Sequence, residues 1–536
     1  MSNLIHKNEK GIVLTTGLIF VAIIALLGAT ALIVTTTDIK IGSNYKSSLQ
    51  AFYAADAGIE YGLSKMRQAF QSLYPDLTTV SPPTINNVTF DEFKIESDGN
   101  PSTIVLDGTF AGLTAWVQNY QITSKARMNS SKACSKLALK VRDELIPIFQ
   151  FGIFYEEDME ILPGKDMTFT GGRIHSNSNI YLDTDSSATL SIDATITSAG
   201  NIYHCRKDRT DTPGTVQIKD KNGNYQTMNI DSDSENWTTQ SQTLWDGTVK
   251  SKEHGIHELN LPTQTETPID ILGTGPGSLY LKAGLSIIDG VAYDKDGNTV
   301  DLTDGGTVDD PIPPSPTFYD YREDKVITVT EIDLSKLQSS TNAMDALNDP
   351  PDGGDKGILY VSSTDGSESV RLTEGSNLPS TGLTVVSNNP VYIQGDYNNS
   401  TNSPAAVIGD AITILSNNWN DANSSSTNLN DRTASDTTVN AAIMAGNKNT
   451  VDSQYSGGVE NFPRFLENWS GKTLTYVGSL ICLWESQQAT GNWQYGSPIY
   501  QAPYRNWSYG IDANNLPPGT PRVRNISKSG WHPVIE

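Results

Sequence analysis

The side chains able to do chemistry are few and scattered. His254 and His257 are separated by Gly255 and Ile256. They lack the i, i+4 spacing and the glutamate of a helical zinc site. His204 and Cys205 are adjacent, with His175 upstream; a metal held between them competes with plain core packing. Cys134, Cys205 and Cys482 form no C-x-x-C, and an odd count leaves at least one thiol unpaired. Asp294-Lys295-Asp296-Gly297-Asn298 begins like a calcium loop, but its twelfth position is Gly305 where a glutamate is needed. Asp220-Lys221-Asn222-Gly223-Asn224 has the same form, and both read as hairpin turns. There is no glycine-rich phosphate loop and no nucleophile elbow. We therefore expect no catalytic set, no metal and no cofactor. The bond that invites chemistry is in the backbone, between Gly11 and Ile12.

That bond is set by the elements around it. A short charged leader, residues 1–11, ends at Lys10-Gly11, and an uncharged apolar run, 12–34, starts at the next residue. The run suits a bilayer's hydrocarbon core, which takes roughly 20 residues of helix. Cleavage after Gly11 on the cytoplasmic side would leave the whole apolar helix in the mature protein. Two other readings compete. Ala29-Thr30-Ala31 fits a secretory cleavage site before Leu32, and an uncut single-pass anchor would have the same length. Lys7 and Lys10, ahead of an acid-rich chain, put the N-terminus in the cytoplasm on every reading.

Helical patterning continues past the membrane. Phe52, Ala55, Ile59, Leu63, Met66 and Phe70 recur at spacings of three and four, one apolar stripe on one helix face. The helix is expected over 12–73, with Tyr74-Pro75 as its stop. Its glycines, Gly58 and Gly62 among them, each cost roughly 1 kcal/mol against alanine. They are tolerable where a neighbour approaches closely.

Gly11-Ile12-Val13-Leu14, the apolar helix, and then Ala51-Phe52-Tyr53-Ala54-Ala55-Asp56-Ala57-Gly58-Ile59-Glu60 resemble the N-terminal region of PilX-type minor pilins. Asp56 stands where that pattern has Glu. Thr16 stands where major pilins carry a Glu five residues after the cut, and PilX-like members often lack it too. The resemblance covers about the first 70 residues. It implies a structural component present in few copies, processed by prepilin peptidase at Lys10, Gly11 and Ile12. It also implies partners in other pilin subunits, the inner-membrane pilus assembly machinery and membrane lipid. The implied location is the inner membrane before assembly, then the pilus outside the cell.

The rest of the chain is long and acidic: the formal net charge over 536 residues is −24. Lys7, Lys10 and Glu9 sum to +1, so trimming the leader makes the chain one unit more negative. Such charge disfavours nucleic acid. Ile174-His175-Ser176-Asn177-Ser178-Asn179-Ile180-Tyr181 and Ile196-Thr197-Ser198-Ala199-Gly200-Asn201-Ile202-Tyr203 share Ile, Ser, Asn, Ile and Tyr at an offset of 22 residues. Met167 and Phe169 match Leu190 and Ile192 with one residue gapped, and a third copy runs from Ser387 to Ile393. Short strands and Asn/Gly corners at this period predict a mainly β chain: the long helix, then a right-handed parallel β-helix or solenoid with insertions. A β-sandwich with two similar hairpins is the alternative. Further strands are expected at 278–281, 285–288, 357–361, 383–386 and 411–415. The proline-rich 305–317, and 343–355 and 417–438, read as loops.

The expected divisions are a leader (1–11), the helix (12–73, with 12–34 in the membrane), a β-rich connecting region (74–150), a solenoid-like domain (151–416), and a loop-rich, aromatic C-terminal cap (417–536). Trp484, Trp493, Tyr495, Tyr500, Tyr504, Trp507 and Tyr509 crowd that last region. They read as a cover for the solenoid's end or as a face for a partner or glycan. The functional expectation is a minor pilin-like component of a type IV pilus, at the tip or in an initiating complex, with a role in adhesion. The alternatives are a type II secretion pseudopilin, and an anchored or secreted β-helix enzyme or adhesin acting on polysaccharide.

Overall fold

The computed structural model describes residues 10–70, 76–208, 214–261, 267–364, 366, 368–451 and 454–534. Residues 1–9 of the leader and the expected stop at Tyr74-Pro75 lie outside them. The chain opens with one helix, Lys10–Ala69, of 60 residues, about 90 Å long at 1.5 Å per residue. Its lower part, from Ile12 to Lys46, is exposed throughout. Its upper part buries the expected stripe: Ala55, Ile59 and Met66 are fully covered, and Leu63 and Phe70 nearly so.

The stripe packs on an antiparallel sheet, the head. Strand Thr114–Met128 pairs with Val88–Ser97, Ser102–Val105 and Cys134–Pro147. The last member, Arg522–Pro533, comes from the far end of the chain and pairs with Cys134–Pro147 from Arg522↔Pro147 to Pro533↔Leu137. The chain therefore leaves the head at Pro147 and returns to it at Arg522; what lies between forms a large β-rich domain.

That domain is built on a 14-stranded sheet. From one end its main path runs Val291–Asp294, Leu285–Ile288, Ile358–Ser362, Leu383–Ser387, Ala405–Gly409, Thr437–Asn447, Thr473–Glu485, Tyr504–Ser508, Met167–Ser176, Thr189–Ser198, Thr215–Lys219 and Tyr225–Thr227, with Ile153–Tyr155 and Val249–Lys250 pairing beside it. The interior pairings are parallel, and each end finishes in an antiparallel hairpin. Such hairpins blunt edges that would otherwise recruit further strands. The Asp220–Asn224 turn closes one of them, through Asp220 N–H to Asn224 O at 2.8 Å.

The order has a consequence for the path. The chain enters this sheet in its interior, at Ile153–Tyr155 and Met167–Ser176, and runs outward to Tyr225–Thr227. It then crosses to the opposite end and stacks back to Tyr504–Ser508, beside its own point of entrance. The strands Thr473–Glu485 and Tyr504–Ser508 are therefore interior members of the sheet and carry Trp484, Tyr504 and Trp507, whereas Trp493, Tyr495 and Tyr500 lie in the loop that joins them. Trp507 and Tyr476, buried with ring centroids 5.7 Å apart, fill the space between adjacent strands.

The 22-residue repeat is visible in the register. Ile174 pairs with Ile196 and Tyr181 with Tyr203, while Met167 and Phe169 pair with Leu190 and Ile192 across the expected gap. These pairings are parallel, which two similar hairpins would not give. The repeated serine makes the corner. Ser176, Ser198 and Ser387 each end a strand of the long sheet, and their hydroxyls accept the amide of Ser178, Gly200 and Asn389 at 3.0 Å. The third copy turns the same corner but leads into a different sheet, Val391–Gln394, paired with Glu368–Thr373 and Ile412–Leu415. The expected strand at 278–281 is instead a turn of 3-10 helix, Tyr280–Lys282. There Tyr280 packs edge-on against Tyr360 at 5.0 Å.

The long sheet is covered on both faces, so its strands read as continuous apolar runs. One face, with Leu359, Val361, Val385 and Val407, lines the domain's own core. The other, with Ile358, Tyr360, Val386 and Ile408, packs on Phe110, Phe149 and Phe151 next to the head. Head and domain thus share a dry, aromatic joint.

Candidate functional site

The stretch Ala51–Glu60 sits where the helix meets the head. Ala51, Ala54, Ala55, Gly58 and Ile59 face the sheet and are buried, Phe52 and Asp56 are half-buried, and Tyr53, Ala57 and Glu60 face outward. The small residues are required by proximity. A Cβ on Gly58 would lie 2.2 Å from Ser124 Oγ and 2.8 Å from Phe90, and one on Gly62 would lie 2.9 Å from Ile122. Gly17, Gly28 and Gly42 have nothing within 4 Å.

The strand Arg522–Pro533 holds the helix at three heights. Trp531 meets Phe52 edge-on at 5.9 Å, Lys528 pairs with Glu60 at 2.7 Å, and Arg524 Nη1 donates to the carbonyl of Phe70 at 2.6 Å. The last contact satisfies a carbonyl at the helix's C-terminal end with a cation, where the dipole favours one. Arg524 also pairs with buried Asp143 at 2.8 Å. Its backbone amide donates to Asn260 O at 2.8 Å, which ties the head to the segment that crosses the large domain. Sequence reasoning placed these residues in the C-terminal region and missed their role. The available signal was a β-capable stretch between Pro521 and Pro533 carrying both basic residues and a tryptophan.

Below the motif the helix is an unpartnered apolar rod. Ile12, Val13 and Leu14 are 70%, 72% and 70% exposed. Lys10 and Gly11 lie in its first turn, so the Gly11–Ile12 bond sits at the helix's start. Thr30, Thr35, Thr36 and Thr37 donate to carbonyls of the preceding turn, so their hydroxyls are satisfied without water. The helix is long and apolar enough to cross a membrane, with a window of mean hydropathy 2.8.

The other sites named from sequence resolve as structure. His175 is fully buried among Phe110, Phe151 and Phe154, and its ring nitrogens meet Thr197 and Asn177 at 2.9 and 3.0 Å. Burial drops its pKa to about 3, so it is neutral. His254 contacts Ser241 and packs on Trp237. No disulfide joins Cys134, Cys205 and Cys482 to one another. Among the described residues no group of three His, Cys, Asp or Glu side chains could hold a metal ion.

The family model described as PilX N-terminal matches residues 10–60, the span from the Gly11–Ile12 bond through the motif. No curated protein matches the chain. Among solved structures it is similar to the competence-associated pilin ComZ from Thermus thermophilus, at 12% identity, over 91% of this chain and 98% of that one, with a TM-score of 0.28. At that score the two do not superpose as wholes. The chain carries the N-terminal segment of the PilX-type minor pilins, joined to a large β-rich domain.

Proposed function

We propose that the chain is a minor structural component of a type IV pilus. Prepilin peptidase cuts after Gly11, Ile12 becomes the new terminus, and the mature protein waits in the inner membrane until assembly draws it out. The observation that carries this reading is the division of one helix: an exposed apolar lower part, and an upper part whose family motif is clamped onto the chain's own head. The lower part then packs among other pilin helices, through van der Waals contact in lipid and in the filament.

The insertion of the large domain between two head strands supports a place at the tip or in the initiating complex. A body of that size would obstruct subunits stacked above it. The domain reads as a parallel solenoid, supported by the stacked parallel pairings and the serine corners at a 22-residue spacing. Its role there is display and adhesion, not catalysis.

The N-terminal peptide recovered from membrane fractions tests processing. A mass starting at Ile12 is expected, and a start at Leu32 or an intact Met1 overturns the reading. Gold labelling of the domain on sheared filaments tests position: label is expected at one end, and label spread along the shaft rejects the tip.

A further inference from the structure

A cavity of about 290 Å³ opens on the large domain, away from the helix and head. Its walls come from separated segments held by successive strand corners: Lys165 follows Met159–Ile161, Asp185 follows Ile180–Leu182, and Arg206 follows Ile202–Tyr203. The 455–461 and 493–505 loops close the far side. Sites of this kind, with loops on a rigid scaffold and a few polar groups among aromatic walls, are typical ligand pockets, and the volume is near the small end of that class.

The aromatic walls are braced and not loose. Tyr455 meets Trp493 edge-on at 5.1 Å and Tyr495 meets Tyr500 at 5.3 Å. Trp493 Nε1 donates to Tyr500 Oη at 3.0 Å, and Tyr500 in turn donates to Asn461 at 2.7 Å. Tyr495 is half exposed at the mouth.

The charges are unusual for so acidic a chain. Arg505 spends two of its N–H groups on neutral acceptors, the Glu460 carbonyl at 2.9 Å and Asn461 Oδ1 at 3.1 Å. Lys165 is exposed, with its ammonium 5.7 Å from the centre of the Tyr504 ring and in no ion pair among the described residues. Arg206 lies over the Tyr455 ring at 4.9 Å and forks onto Asp208. The buried Glu460 carboxylate is occupied by the Tyr455 hydroxyl at 2.7 Å and the Leu162 amide at 3.1 Å. Lys165 therefore faces the cavity in no ion pair among the described residues, and Arg505 makes no direct salt bridge there, though the nearby Glu460 carboxylate favours its charge.

We propose that this cavity binds a carboxylated saccharide. The aromatic walls offer faces for the C–H side of a sugar ring, Lys165 and Arg505 receive its carboxylate, and Asp185 accepts from its hydroxyls. Charge-assisted bonds of this sort discriminate strongly between a charged ligand and its neutral analogue. The inference names a ligand class for the adhesion part of the proposed role, and its test uses purified protein, so its failure leaves pilus assembly untouched.

The test is titration of the full chain in detergent with galacturonic-acid oligosaccharides, their neutral galactose counterparts and sodium acetate, followed by tryptophan fluorescence and calorimetry. Saturable binding of the acidic oligosaccharide is expected, at least about tenfold tighter than the neutral one. Lys165→Gln should remove most of that difference, and Tyr495→Ala should weaken both sugars. The absence of saturable binding overturns the proposal. So does equal affinity for acidic and neutral sugars, acetate binding as tightly as the oligosaccharide, or an acidic-sugar affinity unmoved by Lys165→Gln.

Discussion

Arg524 and Asp143 form a buried ion pair, 2.8 Å apart, with side chains only 6% and 4% exposed. The pair joins the returning strand to the strand from which the chain left the head, and the same guanidinium holds the end of the helix at Phe70. Removing one member of such a pair leaves the other charge buried and uncompensated, at about 3–5 kcal/mol. Arg524→Met should therefore loosen the head and speed hydrogen exchange in the last helical turns around residues 63–70. The double variant Arg524→Met with Asp143→Leu should recover much of the loss. Equal damage from the single and double variants would show that the charge pair is not what matters.

Gly58→Ala tests the close approach of helix and sheet. Alanine is worth about 1 kcal/mol over glycine in a helix, so a gain is expected wherever space allows. At Gly58 the new methyl meets Ser124 Oγ and Phe90, and overpacking of this kind costs about 1–3 kcal/mol. Melting of the purified chain should shift downward for Gly58→Ala, and Ser124→Gly in the same chain should restore part of it. Gly28→Ala, which meets nothing in the single chain, should not lower the melting point.

Three buried carboxyls and the half-buried Glu156 set an uncommon pH dependence. Burial pushes Asp143 up to about 6, and Glu156, Glu460 and Glu467 up to about 7. In the unfolded chain these groups ionise near 4. Between about 4 and 7 these four carboxyls make the folded state bind more protons than the unfolded one; His175, held neutral to about 3, acts in the opposite sense below about 6.5 but is outnumbered, so stability falls as pH rises through that window. Thermal unfolding should come at a higher temperature at pH 5 than at pH 8, and a flat or rising trend would contradict it. Exposed carboxyls held low by their partners, such as Asp91 beside Arg127, act below this window.

The serine corners are each expected to matter by themselves. Ser198 is fully buried, and its hydroxyl accepts from Gly200 N–H and donates to Ser178 O at 2.6 Å. Ser198→Ala removes both hydroxyl bonds but leaves Gly200 N–H donating to Ser178 O at 3.1 Å, so the cost is that of lost hydrogen bonds, about 0.5–1.5 kcal/mol each. Denaturant unfolding should register that loss, and Ser198→Thr should cost less if the added methyl is accommodated.

What the sequence made legible was local. The helix stripe, the family motif and the Ser-Asn-Ile-Tyr repeat all lie within one helix face or one turn of chain, and each reappears with its own register. The hidden relationships were between distant residues. Nothing in Arg522–Pro533 announces that it pairs with Cys134–Pro147, because the strand alternates weakly and its basic residues look solvent-bound until Asp143 and Phe70 are beside them. Trp507 is buried against Tyr476 of the neighbouring strand, a pairing between residues 31 positions apart that neither position announces. Lys165, Arg206 and Arg505 are spread over three segments, so no run of basic residues marked the pocket they line.

The chain's departure from the head at Pro147 and its return at Arg522 happen side by side, with Ile148 N–H donating to Pro521 O at 2.8 Å. A pull on the large domain reaches the head through two adjacent threads loaded together, so neither is drawn past the other. A domain tethered in this way resists being unwound from one end.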